Sequence, residues 1–593
     1  MMTGEINDSS SSSSPPPALT WALSVAQFHH IRSSSRLYLP PIAVDSFTQR
    51  SVQCSFNPVA WLAALQQYPD QVCAQVMLTG MRQGVDIRFA VDGSRDGPHS
   101  RRNLPWPAGR EREAEEFVEK ELSGDAAAGR RAGPFSSSPF PVYRISPFGV
   151  VTKKGSSKLR LIHHLSWPRH SLSHKSVNSS IEQLHCPLAS FEDAVSMLND
   201  MGDLSDVWMF KVDVKSAYRC IPVRPADWPL LGGQWKGKLY FDMSLPFGMA
   251  SSCACWECYA TAIEWMTRKY VSLDRRLIHY IDDFFGAERG KQEAQRKLTK
   301  MLHLFQLLGV PVSAEKVEGP HQCMTFLGIM IDIKSRQLLL DTSKLQQLQQ
   351  MLAEWETRTR CSRKDLQSLA GSLYWATRVI RGGRTFLRRI VSAMRHRSHE
   401  FSQPIEHSVR GDLKWWSRFM QQYNGVSMLP ESKWTESWST ECSLFTDACK
   451  TGYGAVWGKD YLYGQWSPQQ LDRASGSEAI VISVLELAAI VIAAKSWGKK
   501  WEGKRIRVRS DNTAAVTAIN TGACQDDRMM ELAREMWFIS CTHAFELHAV
   551  HVAGAANINA DDLSRGRVSQ FLLRNPTASS SPTTTQLPEC LSL

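Results

Sequence analysis

The chain has 593 residues, room for three or four domains, and 43% of them are apolar, which excludes a chain disordered throughout. Its 14 cysteines show no paired spacing and follow no signal peptide, which argues against a disulfide-stapled secreted protein and for free thiols in a reducing compartment. A net charge of +11 suits a polyanionic partner. Residues 1–50, with the run SSSSSSPPP, read as a disordered leader. Residues 51–130 are expected to be mainly helical. NPVAWLAALQQYP and DQVCAQVMLTGMRQG space apolar residues at helical intervals, and GREREAEEFVEKELSGD (109–125) is a charged amphipathic helix.

Two stretches of the next region, 131–335, carry chemistry. In FKVDVKSAY (210–218) apolar residues lead up to a single Asp213. LIHYIDDFFGAE (277–288) reads as strand, tight turn and return strand, with Asp282 and Asp283 at the tip. Adjacent carboxylates repel, and burying them costs desolvation. A divalent ion removes both costs, because hard cations take carboxylate oxygens. An isolated pair of aspartates also fits an ordinary exposed turn. With Asp213 ending a strand beside that hairpin, three acids converge on two ions. Such ions lie about 3.5–4 Å apart, activate an attacking 3′-hydroxyl and stabilise a leaving pyrophosphate.

FKVDVKSAYRCIPV (210–223), LPFGMASS (245–252), the YIDD tetrad and FLGIMID (326–332) resemble, in that order, the palm motifs of a reverse transcriptase. SPFGVVTKKGSSKLRLIHHLS (146–166) is similar to the fingers segment that holds the incoming nucleotide. The resemblance implies metal-binding, catalytic roles for Asp213, Asp282 and Asp283. It implies that Tyr218 is an aromatic gate against a ribose 2′-hydroxyl, and that Lys158 and Arg160 grip the triphosphate. Phe247 and Gly248 match the loop against nucleotide and template, Phe247 standing where some retroviral enzymes have Gln. Lys316 matches a lysine that protonates the leaving pyrophosphate. Arg102 to Pro105 (RNLP) and SLAGSLYWATRVIRGGRTFLRR resemble DIRS-type (tyrosine-recombinase) retrotransposons.

In SSCACWECYA (251–260), the residues Cys253, Cys255 and Cys258 have the spacing of a partial zinc site, without a fourth ligand; a helix is the alternative. Residues 336–440 are expected to form a helical thumb and connection, with helices over 342–360 and 363–380. From Arg378 to Arg397 there are seven arginines and no acid, a helix that either tracks primer–template phosphates or solubilises a face. Trp415, Trp416, Trp434 and Trp438 suit interdomain packing more than base stacking.

Residues 441–566 carry a second constellation. SLFTDACKTGYGAVWG (443–458) reads as strand, turn, strand, with Asp447 near the end of the first. SEAIVISVLELAAIVIAAKSWG (477–498) is almost apolar enough for a membrane span. Glu486 at its middle argues instead for a buried helix, since a charge at a bilayer centre costs about 2.5–3.5 kcal/mol. IRVRSDNTAAVTAI (506–519) gives a strand ending in Asp511 and then a helix, and AGAANINADDLSR (553–565) sets Asp561 at a helix start. Asp447, Glu486, Asp511 and Asp561 follow an order that resembles a ribonuclease H, which implies that they bind metal and activate water against an RNA phosphodiester. Asp562 is the alternative to Asp561, and His551 is expected to be structural. Residues 567–593 are Ser/Thr/Pro-rich and expected to be disordered.

The expected fold is α+β multidomain: a right-hand polymerase of fingers, palm and thumb, followed by an α/β ribonuclease H-like domain. The expected function is an RNA-directed DNA polymerase with a C-terminal ribonuclease H. Each site takes two Mg²⁺ or Mn²⁺ ions. The implied partners are an RNA template, a DNA primer, an RNA–DNA hybrid and deoxynucleoside triphosphates, with no membrane. A cytoplasmic location fits, with the nucleus as the place a DNA copy must reach. Two other readings are a decayed nucleic-acid-binding relic and a ribonuclease H with an inert polymerase platform. All seven acids stand, which favours an enzyme.

Overall fold

The computed structural model describes residues 52–90, 95–100, 102–152, 158–169, 174–380, 382–395, 401–420, 426–427, 443–474, 476–543, 545–589 and 591. The expected disorder of residues 1–50 falls outside them, as do Trp434 and Trp438. The chain forms two compact units, Met1–Met324 and Thr325–Leu593.

The first unit is built on a four-stranded antiparallel sheet. Its strands are β1 (Val207–Asp213), β2 (Leu277–Tyr280), β3 (Asp283–Arg289) and β4 (Glu318–His321), in the spatial order β2-β3-β1-β4. Helix α1 (Ser252–Val271) precedes β2, and α2 (Lys291–Leu308) joins β3 to β4. The apolar stripes of these helices, including Trp256, Ile263, Met301 and Phe305, share one core with Phe210, Val212 and Phe284 of the sheet. The cysteines of the C-x-C-x-x-C run lie in α1, as the helical alternative expects. Two smaller sheets flank this body: the hairpin Phe148–Thr152 with Leu159–His163, and a three-stranded sheet of Arg131–Phe135, Lys238–Asp242 and Gly232–Trp235.

Residues 51–130 depart from expectation in two ways. Helices cover Pro58–Ala64, Gln71–Gln83 and Glu111–Ala127, but the described residues between the last two contain no helix. They make single bridges, Val85 to Val223 and Phe89 to Ile181. Nor is the segment a domain of its own: Phe56, Trp61, Met77 and Ile87 are buried in the same core as the sheet. The first two are too short to enclose apolar side chains alone, so they take their burial from α1 and α2, whereas Glu111–Ala127 buries Ala114, Val118 and Leu122 against Phe148, Val150 and Trp235 of the smaller sheets.

The second unit begins earlier than the expected boundary at residue 336. Strand Cys323–Phe326 belongs to the sheet of Ile329–Asp332, Gln337–Leu340 and Val426–Ser427. Helices follow at Thr342–Thr357, Arg363–Ala376, Arg388–Arg395 and His407–Phe419. The arginine-rich stretch is therefore not one helix. Gly382, at φ 67°, and Gly383 break it, and among the described residues of the stretch only Arg388–Arg395 is α-helical. Trp415 stacks on Phe386 at 4.0 Å, and Trp416 is fully buried.

The rest of this unit is a five-stranded sheet of β5 (Ser443–Ala448), β6 (Gly452–Trp457), β7 (Asp460–Gln465), β8 (Arg505–Ser510) and β9 (Glu546–His551). The order is β7-β6-β5-β8-β9, with β5 to β7 an antiparallel meander and β5, β8 and β9 parallel. Helices α3 (Glu478–Trp497), α4 (Thr513–Thr521), α5 (Asp527–Thr542) and α6 (Ile558–Ser564) complete it. Helix α3 is long and apolar enough to cross a membrane, yet Val484 through Ala494 are buried in the core, so it is the central helix of the layer.

The tail is a correction. Residues Val568–Arg574 form a helix, and the Ser/Thr/Pro segment beyond it runs along this domain. Ser579 and Thr583 donate backbone N–H groups to the carbonyls of Lys459 and Tyr461 at 2.9 and 2.8 Å. The Trp497 indole donates to the Thr583 hydroxyl at 3.0 Å, and Leu591 is buried in the core. β7 is an edge strand with unpaired backbone groups, and the tail satisfies them. Composition reports low hydrophobicity but not that a sheet edge waits for a partner.

Candidate active sites

The first site forms where β1 meets the β2–β3 turn. Asp213 sits opposite Asp283 in register, and Tyr280 pairs with Asp283 across the hairpin. The turn places Ile281 at φ 54°, a left-handed conformation costly for a β-branched residue. Two hydrogen bonds hold it: the Trp256 indole donates to the Ile281 carbonyl at 2.8 Å, and Val214 N–H donates to the Asp282 carbonyl at 2.9 Å. Asp213, Asp282 and Asp283 thereby bring carboxylate oxygens within 4.8 Å of one another. Burial, then Asp282 and Asp213, push the Asp283 carboxyl up to about 6. Burial and Asp213 likewise raise Asp282, opposed in part by Lys316 and Arg160. A hard divalent cation is the partner that such an oxygen cluster fits.

Of the other expected residues, Lys316, Arg160 and Tyr218 lie near enough to interact with the acids. Lys316 donates to both Asp213 oxygens. Tyr218 packs on Phe247, ring centroids 5.2 Å apart. Arg160 pairs with Val151 in the finger hairpin, and Lys158 precedes that strand. Gly248 adopts φ 111°, and a Cβ there would lie 2.2 Å from the His163 carbonyl oxygen.

Several supporting residues escaped the sequence reading. Ser313 donates to Asp213 Oδ1 at 2.8 Å. Asn178 donates to the Gly248 carbonyl at 2.8 Å and accepts from Ala250 N–H at 2.9 Å, which fixes the Phe247–Gly248 loop. Asp242 is fully buried between Arg131, Arg219 and His163, and Arg219 directly follows Tyr218. No local pattern marks these residues, since their partners lie tens of residues away.

The second site lies at the ends of β5 and β8. Asp447, Glu486 and Asp511 bring ligand oxygens within 4.8 Å of one another. Glu486 accepts from Ala448 N–H at 3.1 Å and from the Ser510 hydroxyl at 3.3 Å. Burial, then Asp447, push Glu486 up to about 9. Burial raises Asp447 to about 6, opposed by the Ser564 hydroxyl and assisted by Asp511 and Asp561. Asp561 is outside the triad, ion-paired with Arg565 at 2.6 Å and with Arg567. Asp562 is buried and paired with Arg567 and Arg574. His551 ends β9, and its Nε2 faces the Asp511 carbonyl at 3.1 Å. Gly454 lets β6 lie against α6, where a Cβ would meet Leu563 Cβ at 2.5 Å. Ser564, in the LSR run, and Ser510 were missed as supports, although both adjoin motif residues.

These folds and clusters define a right-hand polymerase domain followed by an α/β ribonuclease H-like domain. Residues 151–331 match the family described as reverse transcriptase (RNA-dependent DNA polymerase). The Transposon Tf2-3 and Tf2-4 polyproteins of Schizosaccharomyces pombe are each 20% identical over 365 residues, 60% of this chain and 25% of theirs. The chain thus corresponds to about a quarter of the length of these curated relatives. Among solved structures, a foamy viral protease-reverse transcriptase in complex with RNA/DNA hybrid covers 88% of this chain and 65% of its own, at TM-score 0.46 and 12% identity.

Proposed function

We propose that the chain is an RNA-directed DNA polymerase of a retroelement, with a C-terminal ribonuclease H that cleaves RNA in RNA–DNA hybrids. The observation that carries this reading is the pair of separate carboxylate triads, Asp213/Asp282/Asp283 and Asp447/Glu486/Asp511. The reverse transcriptase match supports the first activity. The ribonuclease H activity rests on the sheet order and on the second triad. The DIRS-type assignment rests on the Arg102–Pro105 and 368–389 sequence runs alone.

The donor sets are all hard oxygens, which fit Mg²⁺ or Mn²⁺, held by Asp213, Asp282 and Asp283 in one site and by Asp447, Glu486 and Asp511 in the other, with Asp561 the fourth acid that the ribonuclease H resemblance implies. When bound, such ions lower the pKa of the attacking hydroxyl or water and stabilise the leaving oxygen. The protein's own groups do the rest. Arg160 and Lys158 hold the triphosphate of a deoxynucleotide, Tyr218 over Phe247 excludes a 2′-hydroxyl, and the loop at Gly248 abuts base and template. Lys316 gives a proton to the pyrophosphate. Template RNA and DNA primer bind by their phosphates to a basic chain.

Primer extension on an RNA template tests the first site. Asp282→Asn is expected to abolish extension, and equal extension by this variant would refute the assignment. Asp511→Asn is expected to abolish RNA cleavage in a labelled hybrid while extension continues; joint loss would argue against two sites. A relic that only binds nucleic acid would show no metal-dependent extension.

A further inference from the structure

The thiols of Cys186 and Cys253 lie 3.7 Å apart, sulfur to sulfur, beside the polymerase site. Both are partly accessible. Cys253 is the second residue of the 20-residue helix α1, where free backbone N–H groups and the helix dipole favour a thiolate. Its sulfur is hydrogen-bonded by the Cys186 thiol and by the Tyr218 hydroxyl, and these contacts draw its pKa down to about 7, against the effect of burial. Neighbouring thiols differ: burial pushes Cys73 and Cys255 up to about 12 and leaves them poor nucleophiles. The pair thus combines an attacking sulfur, a resolving sulfur within reach, and direct contact with Tyr218.

We propose that Cys186 and Cys253 form a thiol–disulfide modification site that accepts low-molecular-weight disulfides such as oxidised glutathione, and that the cross-link slows nucleotide addition by withdrawing the sulfur that supports Tyr218. The effect on nucleotide addition rests on the polymerase reading; the cross-link does not. In the reaction the Cys253 thiolate attacks one sulfur of oxidised glutathione, forming a mixed disulfide and releasing one glutathione thiolate. Cys186 loses its proton to solvent and attacks Cys253 Sγ, forming the protein disulfide and releasing the second glutathione. Two protein thiols are oxidised, one glutathione disulfide is reduced, and the two protons end on the released thiols. The sulfurs must close by roughly 1.7 Å to reach bonding distance. That movement pulls Cys253 away from the Tyr218 hydroxyl.

The test uses the full chain equilibrated in glutathione buffers of rising oxidised fraction. Free thiols are then alkylated, and a non-reducing digest is read by mass spectrometry. A Cys186–Cys253 cross-linked peptide is expected. Extension is expected to fall by roughly 10- to 100-fold, the scale of ångström misplacement near reacting atoms. Dithiothreitol restores it, hybrid cleavage by the same sample is unchanged, and Cys253→Ser and Cys253→Ala, which lack the attacking sulfur, extend equally before and after oxidation. Absence of the cross-linked peptide overturns the site. A cross-link without loss of extension, or equal loss in both variants, overturns the link to Tyr218. A reduced wild-type protein that extends no primer refutes the polymerase reading instead, while the peptide still decides the disulfide.

Discussion

Lys316 donates to both carboxylate oxygens of Asp213, each at 2.7 Å. Its ammonium is partly desolvated, which opposes the charge, but the bond to Asp213 and the nearby Asp282 and Asp283 raise its pKa. Lysine and a divalent cation are therefore alternative partners for one carboxylate. Lys316→Ala is expected to lower the Mg²⁺ concentration for half-maximal extension, and to slow extension about 100-fold at saturating metal and nucleotide if the lysine is the acid. A metal titration of single-turnover extension separates the two effects. An unchanged rate at saturation would remove Lys316 from the chemistry.

His279 lies buried behind the Ile281–Asp282 turn, with Nδ1 at 2.6 Å from Glu264 and Nε2 at 3.0 Å from Glu257. Burial opposes its charge, but Glu264 and Glu257 outweigh it and raise the pKa from 6.5 to about 9. Phe284 stacks on its ring, and Arg268 pairs with Glu264. A folded-state pKa above the unfolded value means that the native protein holds the proton more tightly. This stability is complete below pH 6.5 and is lost as pH rises through about 9. Urea unfolding at a series of pH values should show the decline, and His279→Gln should flatten it. Parallel curves for the two proteins would locate the pH dependence elsewhere.

Gly248→Ala tests the loop against the nucleotide. The left-handed φ of 111° and the 2.2 Å approach to the His163 carbonyl leave no room for a methyl group. The expected cost is about 1–3 kcal/mol of local strain. A raised KM for deoxynucleotides together with a lowered melting temperature is the expected result.

Asp561 and Asp562 have separable roles. Asp562 is buried in ion pairs with Arg567 and Arg574, so Asp562→Asn is expected to destabilise the fold by about 3–5 kcal/mol. Asp561 is near enough to raise the Asp447 pKa, so Asp561→Asn should keep the melting temperature and lose hybrid cleavage. Circular dichroism melts with cleavage assays on both variants distinguish them. The opposite pattern would make Asp562 the ligand.

Leu591 is 4% exposed in the core beneath the tail. Leu591→Ala is expected to cost about 2–4 kcal/mol and to release the segment that covers β7. Hydrogen exchange at Tyr461 and Thr583 reports this directly: faster exchange at Thr583 is expected, and unchanged protection would mean that the backbone bonds hold the tail alone.

Much of this protein was determined locally. The five aspartates of the two triads stand at strand ends or turns, where alternation, turn residues and short motifs announce them within a few positions. The Glu486 helix was legible for a similar reason, since one acid amid apolar residues needs a buried partner. Tertiary structure decided what depends on residues far apart in the chain. It merged residues 52–89 with the core of the four-stranded sheet, broke the arginine-rich stretch at Gly382, and laid a polar tail along an open sheet edge. It also set Ser313 on Asp213, Asn178 under the Gly248 loop, and Cys186 against Cys253. Each of these depends on where two distant backbones come to lie, and packing of the whole core fixes that, not the pattern on either segment.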